Sequence, residues 1–241
     1  MKKNNQYGIT LIALVITIIV LLILSAVTIA TLTGDNGLLT RANESKIESA
    51  LGSIREALSL EQAEKLIDDI TVTPETLLAD GKVKRTVQQA EDGNYYMYYA
   101  IKEDAFNGMQ GLGKGNIASL KDVFLIDDEL NVRYIASNGK EYGDDIEEKI
   151  LEDETEIRFS SKAFSEYVSK ISGVTEEEMK FKWMKNQTSL TIADTSVDSL
   201  EDLVFFPNLE SLTLGEYGSN IPPITSMDGV ENCTKLKTLT I

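Results

Sequence analysis

The sequence predicts an α+β protein that begins with a long apolar helix. Three observations lead to this class: a charge-free apolar run near the amino terminus, a helical pattern followed by β-rich segments, and a leucine pattern that recurs near the carboxyl terminus. The predicted parts are a leader (residues 1–8), a membrane helix (9–33), and a helix with an antiparallel sheet (38–143). An acidic linker (144–160) and a short α/β solenoid with a helical amino-terminal cap (161–241) follow.

The composition excludes several classes of function. The 241 residues have a formal net charge of −16, include no histidine and contain one cysteine, Cys233. So much negative charge opposes binding to nucleic acid, and a lone thiol cannot form an internal disulfide. Histidine is the commonest general base and metal ligand, and no nucleophile elbow, catalytic triad or metal-ligand spacing is present. We therefore expect no enzymatic activity, metal, cofactor or nucleic-acid partner.

Residues 9–33 are predicted to cross a lipid bilayer as a helix. Ile9–Ala30 spans about 22 residues, or about 33 Å as a helix, which matches the hydrocarbon core of a membrane. Lys2 and Lys3 precede the run and place the amino terminus in the cytoplasm, with the later domains outside. A secretory signal has a shorter apolar run, of roughly 7–15 residues, and a cleavage site that this segment lacks. A plain uncleaved anchor is the alternative.

The junction at the start of this run resembles the leader of type IV pilins and type II secretion pseudopilins. The basic leader ends in Gly8, and the family motif continues in register through Thr10, Leu11 and Ile12. The resemblance covers about the first 40 residues. It implies that a prepilin peptidase cuts after Gly8 and that the new terminal residue, Ile9, is N-methylated.

One position departs from the family pattern. Ala13 stands where these proteins usually have a glutamate that pairs with the terminal amine of a neighbouring subunit. A carboxylate in lipid is tolerated only with such a partner. The resemblance therefore implies processing, while contact with sister pilin subunits would lack this pairing.

A helix and a sheet are predicted next. Apolar residues recur at three- and four-residue spacings from Leu38, and Pro74 ends the pattern. This segment is either the first helix of a soluble domain or, as in pilins, a continuation of the membrane helix. The predicted strands are Lys82–Val87 and Asn94–Ile101, followed by a hairpin of Val123–Ile126 and Leu130–Ile135. A helix followed by an antiparallel sheet is the layout of a pilin head.

Two intervening segments are predicted to be loops or linkers. Asn107–Asn116 contains four glycines, but it lacks the ending of a phosphate-binding loop. Asp144–Glu156 carries eight acidic residues and one base, Lys149, so self-repulsion should keep residues 144–160 extended and solvated. A calcium site is the alternative, but the spacing does not match an EF-hand loop.

The carboxyl-terminal region contains a recurring pattern. Two short helices are predicted, Ala163–Ile171 and Glu176–Met184, the second with a capping box of Thr175 and Glu178. Leu-x-x-Leu-x-Leu then recurs at about 22 and about 27 residues. Its core positions are Leu190, Ile192, Leu209, Leu212, Leu214, Leu236, Leu239 and Ile241.

This pattern resembles a bacterial, internalin-like leucine-rich repeat, with the two helices as its cap. The resemblance implies a concave surface that binds a protein or glycan. The alternative is that the leucines form the core of an unrelated domain. Since each repeat needs a neighbour to cover its apolar edge, we expect the strand that reaches Ile241 to be an open edge, covered by a partner or continued in a longer chain. Cys233 should be a buried, inert thiol.

These features together predict a bacterial cell-surface protein of the pilin type. A single helix would anchor or assemble it in the cell membrane, and the repeats would serve adhesion by binding a protein or glycan. Its expected partners are the lipid bilayer, a prepilin peptidase and the ligand of the repeats. The alternative is a minor pilin or pseudopilin with a structural role in a type IV pilus or type II secretion assembly, where the repeats contact sister subunits.

Overall fold

A computed structural model describes residues 11–34, 37–215 and 222–241. The chain divides into two compact units, Met1–Glu48 and Ser49–Ile241. Helices combine with a six-stranded antiparallel sheet and a three-stranded parallel sheet. The predicted α+β class, the long apolar helix and the antiparallel sheet are therefore confirmed.

The first unit contains helix α1, Leu11–Thr33. Its interior hydroxyl groups donate to main-chain carbonyls on the preceding turn: Thr17 to Leu14 at 2.8 Å, and Ser25 to Leu21 at 2.7 Å. These bonds satisfy polar side chains that would otherwise have no partner in an apolar medium. The predicted leader, residues 1–8, lies outside the described residues.

Helix α2, Leu38–Leu66, crosses the division between the units. In the second unit its apolar positions at three- and four-residue spacing are fully or almost fully buried: Ala50, Leu51, Ile54 and Leu58. Pro74 does not follow this helix directly but occupies the first turn of a separate helix, α3, Pro74–Ala79. Thr73 caps α3 by accepting a hydrogen bond from the Thr76 backbone N–H, so the proline stands where its missing N–H costs nothing.

The antiparallel sheet has the order β1-β2-β3-β4-β5, and β6 pairs with β2. Its strands are β1 Val83–Gln89, β2 Tyr95–Ile101, β3 Val123–Ile126, β4 Val132–Ile135, β5 Glu141–Gly143 and β6 Lys149–Leu151. The predicted hairpin is present, with Phe124 opposite Tyr134. Gly143 has a φ of +96°, and a Cβ there would lie 2.5 Å from the Val132 carbonyl oxygen. Only glycine therefore allows β5 to lie so close to β4.

The acidic segment, residues 144–160, is not the free linker that its composition predicts. It contains β6, which pairs with β2 from Tyr95 to Met97. Asp144 accepts hydrogen bonds from the Val132 backbone N–H at 3.0 Å and from Arg55. These partners offset the self-repulsion that would otherwise keep the segment solvated.

The helical pair after this segment also differs from the prediction. Helix α4, Lys162–Ser172, forms as expected. The predicted helix Glu176–Met184 is instead divided, because Met179 is extended and its carbonyl accepts a hydrogen bond from the Ile157 N–H at 3.0 Å. Thr175 reaches the Glu178 side chain but does not cap the backbone. The two short pieces are a 3₁₀ turn, Glu176–Glu178, and helix α5, Phe181–Lys185.

The parallel sheet contains β7 Ser189–Ile192, β8 Ser211–Leu214 and β9 Thr238–Thr240, in that order. Leu190 lies opposite Leu212, which lies opposite Leu239. Two 3₁₀ turns, Glu201–Phe205 and Val230–Asn232, lie on the connections between strands. The leucine spacing therefore corresponds to the register of this sheet.

A buried ion pair joins the antiparallel sheet to the turn after β7. Arg85 of β1 lies 2.6 Å from the Asp202 carboxylate, and the two side chains are 10% and 1% exposed. Asp202 also accepts hydrogen bonds from the backbone N–H groups of Ser160 and Ser161, at 2.9 and 2.8 Å. The Arg85 guanidinium lies 4.7 Å from the centroid of the Phe205 ring. Burial raises the pKa of Asp202, while Arg85 and the two N–H groups act in the opposite direction.

We predict that breaking this pair strongly destabilises the second unit. Arg85→Met leaves a buried carboxylate without its cation, and Asp202→Asn leaves a buried cation without its anion, so each should cost about 3–5 kcal/mol. The double variant should lose less than the sum, because neither charge is then left alone. Urea unfolding followed through the single tryptophan, Trp183, measures all three values.

Lys162→Ala is the matched control for this prediction. Lys162 pairs with Glu166 at 3.5 Å on an exposed helix surface, so its loss should cost at most about 0.5 kcal/mol. If the Arg85 and Asp202 variants were as mild as the control, the buried pair would not hold the unit together.

Candidate membrane segment and binding surface

Only part of the predicted processing motif lies within the described residues. Gly8, Ile9 and Thr10 lie outside them, and α1 begins at Leu11. Ile12 and Ala13 lie in its first turn with exposed side chains. The structure therefore describes the helix that follows the predicted cleavage site but not the site itself.

The helical region that begins at Ile12 is apolar enough to cross a bilayer. Its most apolar window has a mean hydropathy of 3.1, and no residue of that window is buried. Large aliphatic side chains are exposed, with Leu21 and Leu22 at 63% and 64%. A helix that is hydrophobic on all sides is stable only inside a protein core or a membrane. Among the described residues it is the one helical region with these properties.

The inward side of the parallel sheet carries the predicted repeat core. In β7 and β8 this side is buried, with Leu190, Ile192, Leu212 and Leu214 at most 5% exposed. Leu209, just before β8, is also fully buried, and Leu236 is half-buried. On the third strand, β9, Leu239 is 42% exposed, and Ile241, which follows β9, is 76% exposed. The first two strands are therefore covered on this side, and the third is not.

The outward side of the same sheet carries hydroxyl groups in register. Residues alternate between the two faces of a strand, so the serines and threonines between the leucines all point away from the core. Pairing aligns them into two rows, which we call the hydroxyl face: Ser189, Ser211 and Thr238 in one row, and Thr191, Thr213 and Thr240 in the other. All six are exposed or half-exposed. The leucine pattern directed attention to the core and away from these positions, although the recurring Ser/Thr-Leu-Thr triplet is visible in the sequence.

One buried hydroxyl group holds the outer edge of the parallel sheet at β7. The Tyr167 hydroxyl of α4 donates to the Thr191 carbonyl at 2.5 Å. Burial, with a smaller effect from Asp194, raises the pKa of Tyr167 to about 12. Phe164 and Trp183 contact the ring of Phe206 edge-on, at 6.1 and 6.2 Å between centroids. Because Tyr167 also contacts the Phe164 ring edge-on, α4 links β7 to this aromatic cluster.

Cys233 lies on the connection between β8 and β9, directly after the 3₁₀ turn Val230–Asn232. The thiol is 4% exposed and lies 3.9 Å from the Leu203 carbonyl oxygen. Burial, together with Glu231, raises the pKa of Cys233 to about 12. The protonated thiol is a poor nucleophile. Among residues 11–34, 37–215 and 222–241, no group of three or more histidine, cysteine or acidic side chains could hold a metal ion.

We predict that Cys233 lowers the stability of the second unit at alkaline pH. The folded thiol stays protonated up to a pKa of about 12, whereas the thiol of the unfolded chain loses its proton near pH 8.5. Its contribution is therefore complete below about pH 8.5 and is lost as the pH rises towards 12, by up to about 1.4 kcal/mol per pH unit. Unfolding free energies at pH 8, 9 and 10 should fall more steeply for the native chain than for Cys233→Ala.

The tyrosines titrate both in the native chain and in Cys233→Ala, so they do not affect the comparison of the two pH slopes. In the folded chain the thiol should also resist an aromatic disulfide reagent until urea unfolds the protein. Equal pH slopes in the two proteins, or rapid labelling without denaturant, would show that the thiol is accessible.

Compared with protein-family models, curated proteins and solved structures, the chain shows no significant match to any of them.

Proposed function

We propose that this protein is a pilin-like cell-surface protein that is anchored in the membrane by α1 and binds a protein or glycan on its hydroxyl face. The observation that carries the binding part is the register of that face, in which six hydroxyl-bearing side chains align in two rows on the exposed side of the parallel sheet. The apolar helix supports the anchoring part.

The hydroxyl face has the chemistry of a recognition surface. Neighbouring strands lie about 4.8 Å apart, and alternate residues along a strand about 6.7 Å apart, so the rows form a regular grid. Each hydroxyl both donates and accepts hydrogen bonds, and none carries charge. A ligand with closely spaced polar groups could therefore match several of these positions at once without approaching an ionised side chain on the grid itself.

We interpret the parallel sheet as a short array of leucine-rich repeats. The support is the leucine spacing, the parallel register of Leu190, Leu212 and Leu239, and a 3₁₀ turn on each connection between strands. Repeat arrays expose an extended surface along their strands and use it for binding. The hydroxyl face lies on that surface.

The amino terminus supports a pilin-type anchor. The leader ending in Gly8 directly precedes the apolar run of the sequence, as it does in prepilins. Cleavage there would remove Lys2 and Lys3 and leave Ile9 as the terminal residue of the anchor. Because those lysines precede the helix, they favour a cytoplasmic amino terminus and an external second unit.

We predict that the mature protein in bacterial cells with a prepilin peptidase begins with N-methylated Ile9. Mass spectrometry of the purified protein measures this terminus directly. The Gly8→Val variant should keep the leader, because the peptidase would no longer accept the junction. Both forms should fractionate with the membrane, since both keep α1, and protease added to intact cells should degrade the second unit. An uncut protein in the soluble cytosol would contradict the proposal.

We predict that a charge placed on the hydroxyl face abolishes ligand binding. Thr213 lies on the central strand, and Thr213→Lys should remove binding of the membrane-embedded chain to at least one member of a printed array of glycans and purified extracellular proteins. Thr175→Lys is the matched control, because Thr175 is exposed in a turn outside the sheet. Identical binding patterns for the two variants would exclude the hydroxyl face as the site.

A further inference from the structure

A second candidate site lies on the antiparallel sheet. A cavity of about 610 Å³, partly open to solvent, covers one face of β1, β2 and β6, and we call it the sheet groove. Its floor includes two cross-strand pairs, Arg85 with Tyr99 and Lys149 with Met97. Helix α3 forms one wall, and the extended segment 155–160 forms the other. Its volume lies within the range of about 300–1,000 Å³ that is typical of small-ligand sites.

The backbone of β2, in the middle of the groove floor, is already engaged on both sides. From Tyr95 to Met97, β2 pairs with β1 on one side and with β6 on the other. An extended peptide usually binds by adding a strand to a free sheet edge, and β2 offers no edge at this point. At the centre of the sheet groove, recognition must therefore come from side chains.

The charges on the rim compensate one another. Three carboxylates line the groove, and each lies near a lysine at an N–O distance of 3.9, 3.0 or 3.4 Å: Glu75 with Lys149, Glu156 with Lys180, and Glu201 with Lys102. Arg85 is neutralised by Asp202. Arg158 also lines the groove, and Glu156 faces this cation as well as Lys180: Lys180 first, and Arg158 to a smaller extent, lower the pKa of Glu156. A charged ligand would have to displace one of these pairings, so the rim favours a ligand without net charge. Because the pairs are partly exposed, they contribute little to stability, so replacing one partner should leave the fold intact.

The floor between these pairs is apolar. Met97, Leu151 and Phe205 are at most 7% exposed, and Phe159 lines the cavity from the opposite wall. Burial first, and then the hydrogen bond to Glu75, raise the pKa of Tyr99, so its hydroxyl stays protonated and donates to that carboxylate. The sheet groove thus combines an apolar base with donors and acceptors around its edge.

We propose that the sheet groove binds a short oligosaccharide of uncharged sugars. A pyranose ring has an apolar face of C–H groups, which packs on the floor formed by Met97 and Leu151. Its hydroxyl groups lie around the edge of the ring, where they donate to Glu75 and accept from Lys149. This site is separate from the hydroxyl face and does not depend on the function proposed for that face.

The test is a calorimetric titration of the full chain in lipid nanodiscs, which contain no sugar detergent. The probes are three neutral tetrasaccharides (cellotetraose, chitotetraose and maltotetraose), tetragalacturonic acid as an acidic sugar, and an uncharged extended tetrapeptide. We expect saturable binding of at least one neutral sugar and no binding of the acidic sugar or the peptide. Binding of the peptide alone, of the acidic sugar alone, or of no probe would overturn the proposal.

Three variants locate the bound sugar. Lys149→Met and Glu75→Gln remove one rim group each and should weaken binding at least tenfold. Ala79→Trp should block the groove, because Ala79 is exposed on the α3 wall. Thr213→Lys should leave this binding unchanged. If Thr213→Lys abolished sugar binding and the groove variants did not, the sugar would lie on the hydroxyl face, which would overturn the groove proposal and support the proposed function.

The thermal unfolding midpoint of each groove variant is the control for folding. Lys149 and Glu75 have half-exposed side chains, so their replacement should leave this midpoint within a few degrees of the native value. Ala79→Trp adds a side chain on an exposed surface and should do the same. Loss of binding with an unchanged midpoint supports the proposal, and unchanged binding in all three folded variants overturns it.

Discussion

The buried pair of Arg85 and Asp202 is the constraint on which the second unit depends. Removing a carboxylate from water costs several kcal/mol, and one guanidinium and two backbone N–H groups offset part of this cost at Asp202. Apolar contacts between two layers tolerate small shifts, whereas these directional bonds hold in one arrangement. The pair therefore fixes β1 relative to the turn after β7. Because the Ser160 N–H donates to Asp202, the pair also fixes the position of the groove wall at Ser160.

Local patterns were sufficient to predict elements whose partners are close in sequence. The β3–β4 hairpin needs only two β-rich runs and a short turn, so Phe124 and Tyr134 could be assigned to facing strands. The parallel register follows in the same way from the recurring Leu-x-x-Leu-x-Leu pattern, since equivalent positions such as Leu190 and Leu212 come into line. That the apolar helix is long enough and apolar enough to span a membrane follows from the composition and length of that segment alone.

Elements that depend on distant partners could not be predicted. The segment around β6 is too acidic to suggest a strand, and only partners such as Arg55, 89 residues from Asp144, offset its charge. The burial of Asp202 could not be predicted either. An aspartate beside Glu201 is usually exposed, and its partner, Arg85, lies 117 residues away. The division of the second cap helix at Met179 also depends on a contact with another segment. Sequence periodicity carries no information about such pairings.

The two proposed surfaces share one physical property that the composition alone would not suggest. The chain has a formal net charge of −16, so its field repels anions over most of its surface. The hydroxyl face adds no charge of its own to this field, and in the sheet groove each rim carboxylate is paired with a lysine. Neutral polar ligands neither gain nor lose from a long-range field, so their binding depends on short-range geometry. Under these two proposals, a strongly acidic protein would select its ligands at one region without charged side chains and at another with paired charges, by the arrangement of the ligands' hydrogen-bonding groups rather than by their charge.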